Sequence, residues 1–316
     1  MKKILPYKIQ KGDKIGIITP AGKINENQEK IAMQKIIDAG YIPVTASSIT
    51  EKYGYLAGSD QHRANQINQL FANPEIKAIV AARGGYGCTR ILNLLDYEII
   101  KNNPKIIGGY SDLTALNIAI HKKTGLVTFH SSMLAAPETI YSKNSMLNLY
   151  ENGVKGTKII CEQPSNLEEN VYSQTPKVLK PGICKGTLIG GNLTLLENLI
   201  GTEFDISYYN KILFIEDINE VPYKIDRMLT HLKSAGKLKG IKGIIFGIFK
   251  GCETDDEDSL SLSQVIDDFI KDLDIPVVQN FTFGHIKSRC TFPIGTKVKL
   301  DTNKMEIKLL EDCVII

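Results

Sequence analysis

The chain has 316 residues, 43% of them hydrophobic and 23% charged, and a formal net charge of +3. That length fits one large domain or two ordinary ones. The small net charge, with lysines and acids interspersed, argues against a nucleic-acid or acidic-membrane partner. The acidic cluster at 253–258 reads as a solvated loop. Six cysteines, Cys88, Cys161, Cys184, Cys252, Cys290 and Cys313, form no C-x-x-C pair and have no histidine at zinc spacing. Their scatter favours reduced thiols and a cytoplasmic protein. The opening MKKILPYKIQK is interrupted by Pro6, Lys8 and Lys11, so it does not read as a signal peptide. No apolar run approaches a membrane span.

In chain order, 14–19 (KIGIIT) is predicted as a strand ending in the Pro20-Ala21-Gly22 turn. Helices are predicted over 25–39 and from Ser59-Asp60 to Phe71, with a strand at 42–46 between them. A short apolar strand at 77–81 runs into Arg83-Gly84-Gly85-Tyr86-Gly87, and a helix follows around 88–94. Alternation of this kind implies a parallel sheet with helices on both faces, in which ligands sit outside the carboxyl ends of the strands.

The stretch 106–130 (IIGGYSDLTALNIAIHKKTGLVTFH) organises the rest. An apolar strand meets a tight corner at Gly108 to Asp112. A helical spacing of Leu113, Leu116, Asn117 and Ile120 follows, broken at Gly125 before a strand from Leu126. Such a corner exposes its serine and leaves N–H groups free at the new helix's start. Ser111 is therefore a candidate nucleophile on an elbow-like turn, although Leu113 stands where G-x-S-x-G would have glycine. The alternative is that Ser111 or Asp112 merely caps the helix.

The stretch 155–181 contains Pro164, Pro176 and Pro181 and no helical period, and reads as a connection whose 158–161 piece could form an edge strand. The expected organisation is a first domain over 1–155, a linker over 156–182 and a second α/β domain over 183–316. In that second half, strands are predicted at 185–189, 211–215, 242–249 and 276–280. Helices are predicted from Leu193, over 222–233 and over 260–273, with a closing β-hairpin at 296–309.

A nucleophilic serine needs a base, and the base needs a carboxylate. Of the five histidines, His62, His121 and His231 read as surface residues. His130 ends a strand close to the corner and is one candidate base. His285, after Gly284 in a loop, is the other. Glu216 closes a strongly apolar strand, where a carboxylate needs a partner. That partner is Lys224 or Arg227 on one reading and His285 on the other. The order Ser111, Glu216, His285 is the nucleophile-acid-base order of α/β hydrolases. Gly84-Gly85 would let the backbone approach a ligand closely. No dinucleotide, Walker or H-E-x-x-H pattern is present, so neither a cofactor nor a metal is expected.

Five segments taken together resemble the LD-carboxypeptidase family of serine peptidases, which includes murein tetrapeptide carboxypeptidases and microcin-immunity-type hydrolases. They are ARGGYGCTRIL (82–92), GGYSDLTALNIAIHKKTGLVTFH (108–130), GTLIGGNLTLLENLIGT (186–202), LFIEDINEVPYKIDRML (213–229) and Gly284-His285 with CTFPIG (290–295). The likeness runs from the TPAG turn at 19–22 to the C-terminal hairpin. It implies a flavodoxin-like N-terminal α/β sandwich, a smaller mixed C-terminal domain and a homodimer. It implies a Ser-Glu-His triad on Ser111, Glu216 and His285. The oxyanion hole would use the Asp112 N–H and an N–H of Gly84 or Gly85, a choice the sequence leaves open. The implied reaction releases terminal D-alanine from murein tetrapeptides, a small peptide substrate. Arg83, beside the glycine turn, is a candidate for the free carboxylate of that substrate. Ser131-Ser132 follow His130 where relatives are expected to have Gly-Pro, which leaves the pocket's substrate detail open. The alternatives are hydrolysis of peptidyl-nucleotide antibiotics and a non-catalytic muropeptide-binding protein.

Overall fold

The computed structural model describes residues 2–162 and 175–316. The first half runs β1 (Lys14–Ile18), α1 (Glu26–Asp38), β2 (Ile42–Val44), α2 (Asp60–Ala72), β3 (Ile76–Ala81), α3 (Cys88–Ile91), α4 (Tyr97–Asn102), β4 (Ile106–Gly108), α5 (Leu113–Thr124), β5 (Thr128–His130) and α6 (Ile140–Asn152). Its five strands lie parallel in the order β2-β1-β3-β4-β5, the flavodoxin-like arrangement. β1, β3 and β4 are buried along most of their length. A sheet covered on both faces needs such strands, which is why they read as apolar runs. Local chemistry sets the helix ends: Asn25 and Gln28 form a capping box on α1, Ser59 caps α2, and Gly125 ends α5.

The second half supplies β6 (Lys158–Ile160), β7 (Lys177–Lys180), β8 (Ile183–Asn192), α7 (Leu193–Asn198), β9 (Lys211–Glu216), α8 (Pro222–Ser234), β10 (Gly243–Phe246), α9 (Leu262–Ile270), β11 (Val277–Gln279), β12 (Phe292–Ile294), β13 (Lys297–Asp301) and β14 (Glu306–Leu309). Its sheet has the order β6-β14-β13-β8-β9-β10-β11-β7. β8 to β11 are parallel, with antiparallel strands on both sides. The stretch read as a connection thus supplies both edge strands, β6 and β7. Residues 163–174 between them lie outside the described residues.

Two elements bring the halves together. α5 is buried continuously from Leu113 to Ile120, the pattern of a helix enclosed by protein on all sides. The Thr114 hydroxyl near its start accepts the Asn192 N–H at the end of β8, at 2.9 Å. β12 comes from the second half but pairs antiparallel with β5 at the edge of the first sheet. The chain between β11 and β12 therefore crosses from one sheet to the other, and His285 lies on that crossing. Among the described residues no helix is long and apolar enough to cross a membrane.

Candidate active site

The corner after β4 is built around backbone conformations that side chains rarely adopt. Gly109 has φ +158°, and a Cβ there would fall 2.3 Å from Leu113 Cδ2. Ser111 has φ 63°, a left-handed conformation uncommon for a residue with a side chain. The capping alternative does not hold. Asp112 occupies the N-cap position of α5 but makes no side-chain capping bond. Its buried carboxylate instead accepts the Cys88 N–H at 2.7 Å, fastening the start of α3 to the corner. Burial raises the Asp112 pKa.

Glu216 is the last residue of β9 and is completely buried. His285 Nδ1 lies 2.7 Å from Glu216 Oε2, and His285 Nε2 lies 2.9 Å from Ser111 Oγ. A carboxylate only accepts, so Nδ1–H donates to Glu216, which leaves Nε2 of the neutral ring to accept the Ser111 hydroxyl. The other partners considered for Glu216 are engaged elsewhere. Lys224 pairs with Glu220, and Arg227 lies over the Tyr223 ring. The neighbouring Asp217 accepts from Asn192 Nδ2, from Thr194 through its N–H and hydroxyl, and from the Ile218 N–H. It is a structural brace with no bond to His285.

The two partners shift each other's titration. Burial is the largest influence on Glu216 and pushes it up, but the His285 charge and hydrogen bond, with smaller help from His130 and Asn192, leave Glu216 below the usual carboxylate range. Burial is also the largest influence on His285 and pulls it down. The Glu216 charge and hydrogen bond, with a smaller push from the Asp217 charge, reverse that, so His285 lies above its ordinary value.

The Gly84 main chain lies against the nucleophile: a Cβ at Gly84 would stand 3.1 Å from Ser111 Cβ and 3.3 Å from Ser111 Oγ. The Gly84 carbonyl accepts the Gly22 N–H at 2.9 Å. In a trans peptide the following N–H points opposite to the carbonyl, so the Gly85 N–H is turned away from Gly22. Neither the Gly85 nor the Asp112 N–H has an acceptor among the described residues. Arg83 is exposed and donates to the Lys23 carbonyl at 3.0 Å, bracing the turn after β1.

His130, the other candidate base, is separated from this chemistry. It is buried against Phe214, Phe283 and Phe292, and neither ring nitrogen has a partner among the described residues. Burial pulls its pKa down to about 4. His121 is also less exposed than expected, with Nδ1 donating to the Leu126 carbonyl at 2.9 Å. His62 contacts the Ser48 carbonyl, and His231 contacts Glu197. Two neighbours of the site were not singled out from the sequence. The Tyr110 ring meets the His285 ring with centroids 5.1 Å apart, and the buried Arg289 guanidinium lies 4.7 Å from the Tyr110 centroid. Tyr110 could have been found from its place beside Ser111; nothing in the pattern marks Arg289. Among the described residues no three His, Cys, Asp or Glu side chains gather to hold a metal ion.

The sequence matches the LD-carboxypeptidase N-terminal domain over residues 15–131 and the LD-carboxypeptidase C-terminal domain over 185–300. The chain belongs to the LD-carboxypeptidase family. Ser111 falls in the first match, and Glu216 and His285 in the second. Among curated members of the family, the chain is 37% identical over 301 residues to a probable murein peptide carboxypeptidase of Bacillus subtilis, covering 94% of this chain and 91% of the relative. It is 28% identical over 326 residues to the microcin C7 self-immunity protein MccF of Escherichia coli, covering 95% and 94%. Among solved structures, the muramoyltetrapeptide carboxypeptidase of Oxalobacter formigenes superposes with a TM-score of 0.79 at 29% identity, covering 94% of this chain and 97% of that one. The two-domain α/β architecture is thus that of this carboxypeptidase family.

Proposed function

We propose that this member of the LD-carboxypeptidase family is a serine carboxypeptidase that releases terminal D-alanine from murein tetrapeptides by cutting the L,D bond. The observation that carries the reading is the unbroken relay Ser111 Oγ, His285 Nε2, His285 Nδ1, Glu216 Oε2, with contacts of 2.9 and 2.7 Å. His285 takes the Ser111 proton as the hydroxyl attacks the carbonyl, and later gives it to the leaving amine. Glu216 holds the tautomer and stabilises the imidazolium. The Asp112 and Gly85 N–H groups receive the oxyanion, because both lack acceptors and the Gly84-Gly85 turn lies against Ser111. A carbonyl bound there sits between nucleophile and donors without displacing any internal bond.

The relative named as a probable murein peptide carboxypeptidase supports the peptide substrate, and a place in cell-wall recycling belongs to the same proposal. The likeness to MccF along most of the chain keeps hydrolysis of peptidyl nucleotides as a second reading. One experiment separates them. The protein is incubated with a defined murein tetrapeptide and, in parallel, with an aminoacyl sulfamoyl nucleoside, and products are weighed by mass spectrometry. Release of D-alanine that vanishes in Ser111→Ala is the expected result. Turnover of the nucleoside substrate alone would replace the first reading with the second.

A further inference from the structure

Two exposed tyrosines stand out on the segments that adjoin the glycine turn. Tyr55 and Tyr86 are 64% and 50% exposed. Their rings meet edge to face, at a centroid distance of 5.8 Å and an angle of 60°. Single exposed apolar residues need no explanation, but these two meet each other, and the backbone that carries Tyr55 is braced from several sides. Tyr53 and Leu56 exchange backbone hydrogen bonds of 3.0 Å, the Lys23 N–H donates to the Tyr55 carbonyl at 3.2 Å, and the Ala57 N–H donates to the Ala21 carbonyl at 3.0 Å. Lys23 Nζ donates to the Gly54 carbonyl at 2.7 Å, and Arg83 holds the Lys23 carbonyl at 3.0 Å. A braced backbone lowers the ordering cost of the Tyr55 segment when a ligand arrives.

Its position is continuous with the nucleophile's surroundings. Tyr86 follows Gly85 in the turn that lies against Ser111, and the Tyr55 segment is fixed to Gly22-Lys23, which in turn holds the Gly84 carbonyl. Two residues of chain reach about 7 Å beyond Gly84 at most, and a tyrosine side chain extends further. In a tetrapeptide cut before its last residue, the three residues on the amino side span about 10 Å when extended. A peptide running from Ser111 along the glycine turn would bring the group attached to its amino end within reach of the tyrosine pair. A pyranose has a C–H face and hydroxyl rim, and tyrosine offers an apolar face with a polar tip to match.

We propose that Tyr55 and Tyr86 form the subsite for the sugar ring at the amino end of a muramoyl peptide. This rests on the reading that Ser111 cuts such peptides. The test compares a free tetrapeptide with the same peptide carrying N-acetylmuramic acid, in the full-length protein and in Tyr55→Ala/Tyr86→Ala. The fall in kcat/KM for the muramoyl peptide is expected to exceed that for the free peptide by about tenfold, through KM, the size of an aromatic contact. The Tyr→Phe pair, which keeps the rings, should recover most of that excess. Equal falls on both substrates, or none on either, would overturn the assignment while leaving the hydrolytic reading intact. Selective weakening of aminoacyl sulfamoyl adenosine binding, with the muramoyl preference retained, would give the tyrosine pair to a nucleobase and overturn it too. A wild-type protein that releases D-alanine from neither peptide would remove the hydrolytic reading and this inference together.

Discussion

Two histidines flank the Tyr110 ring, His285 with centroids 5.1 Å apart and His130 with centroids 6.1 Å apart. Both feel the charge of Glu216. Burial pulls both rings toward neutrality, yet their titration ends on opposite sides of the ordinary value. His285 is raised, while His130 falls to about 4. The difference lies in direct contact. His285 donates to the Glu216 carboxylate at 2.7 Å, whereas neither nitrogen of His130 reaches an acceptor among the described residues. A nearby charge felt through space does not overcome desolvation here; one reached through a hydrogen bond does. The same carboxylate thus leaves one imidazole basic enough to take a proton and the other a neutral packing group.

Removing the nucleophile or the base should have the largest effect. Ser111→Ala and His285→Ala are each expected to lower kcat by about 10⁴ to 10⁶, as for triad residues that act as a unit; the unfolding midpoint should hardly change in Ser111→Ala but fall in His285→Ala, which leaves the buried Glu216 carboxylate without its partner. A variant with more than a tenth of wild-type turnover would remove that residue from the relay.

Glu216→Gln sharpens the comparison directly, because it takes away what distinguishes His285 from His130. The fall in kcat should approach the ~10⁴ of the chymotrypsin-type Asp-to-Asn change. The acid limb of kcat/KM should also move to lower pH, since burial is then no longer opposed by a carboxylate. The sign for stability runs the other way. His285, with a raised native pKa, contributes stability fully present below its unfolded value near 6.5 and lost as pH rises through the raised value. Glu216, with a lowered pKa, contributes stability present above about 4.5 and lost as pH falls through its native value. The pair is therefore most stabilising between these limits, while turnover by neutral His285 increases above them. A Glu216→Gln profile with an unmoved acid limb would show that Glu216 does not set the His285 pKa.

A smaller loss is expected from Gly84→Ala. The new methyl would sit 3.1 Å from Ser111 Cβ and 3.3 Å from its Oγ, so the serine must give by a few tenths of an ångström. Misplacing a nucleophile by 1 Å can cost 10²-fold, and about tenfold in kcat is expected here with a nearly unchanged midpoint. Wild-type turnover would show that the turn is not held against the nucleophile.

The first sheet was legible because its strands are buried on both faces and alternate with capped helices, as at Asn25 and Ser59. The Ser111 corner announced itself through its glycines. α6 was not read, since it buries only Ser142, Leu149 and Tyr150 and carries no apolar stripe. β12 was not read as a strand because its three residues contain Pro293 and pair with a strand more than 150 positions earlier. The meeting of Ser111 with His285 follows from that crossing of the chain between sheets, which no local pattern encodes. The order of the three residues suggested the relay; only the fold brings His285 within 2.9 Å of the serine.

The smallest effect belongs to His130, and it is the measurement that could break the comparison. His130→Phe keeps a flat ring among Phe214, Phe283 and Phe292 and removes two ring nitrogens that lack partners. Leaving a buried polar atom unpaired costs about 1–3 kcal/mol, so its removal favours the folded state. The larger phenyl ring opposes this, because overpacking a tight core costs about 1–3 kcal/mol. The two effects nearly cancel, and the unfolding midpoint should move by only a few degrees. Turnover is the decisive readout. With His130 neutral and unconnected to Ser111, kcat should stay within about twofold of wild type and the acid limb should not move. Were His130 the base, the same change would remove the proton acceptor and kcat would collapse by orders of magnitude. A modest kcat loss with a shifted acid limb would mean that His130 tunes the His285–Glu216 pair through space, and the distinction between contact and proximity would have to be redrawn.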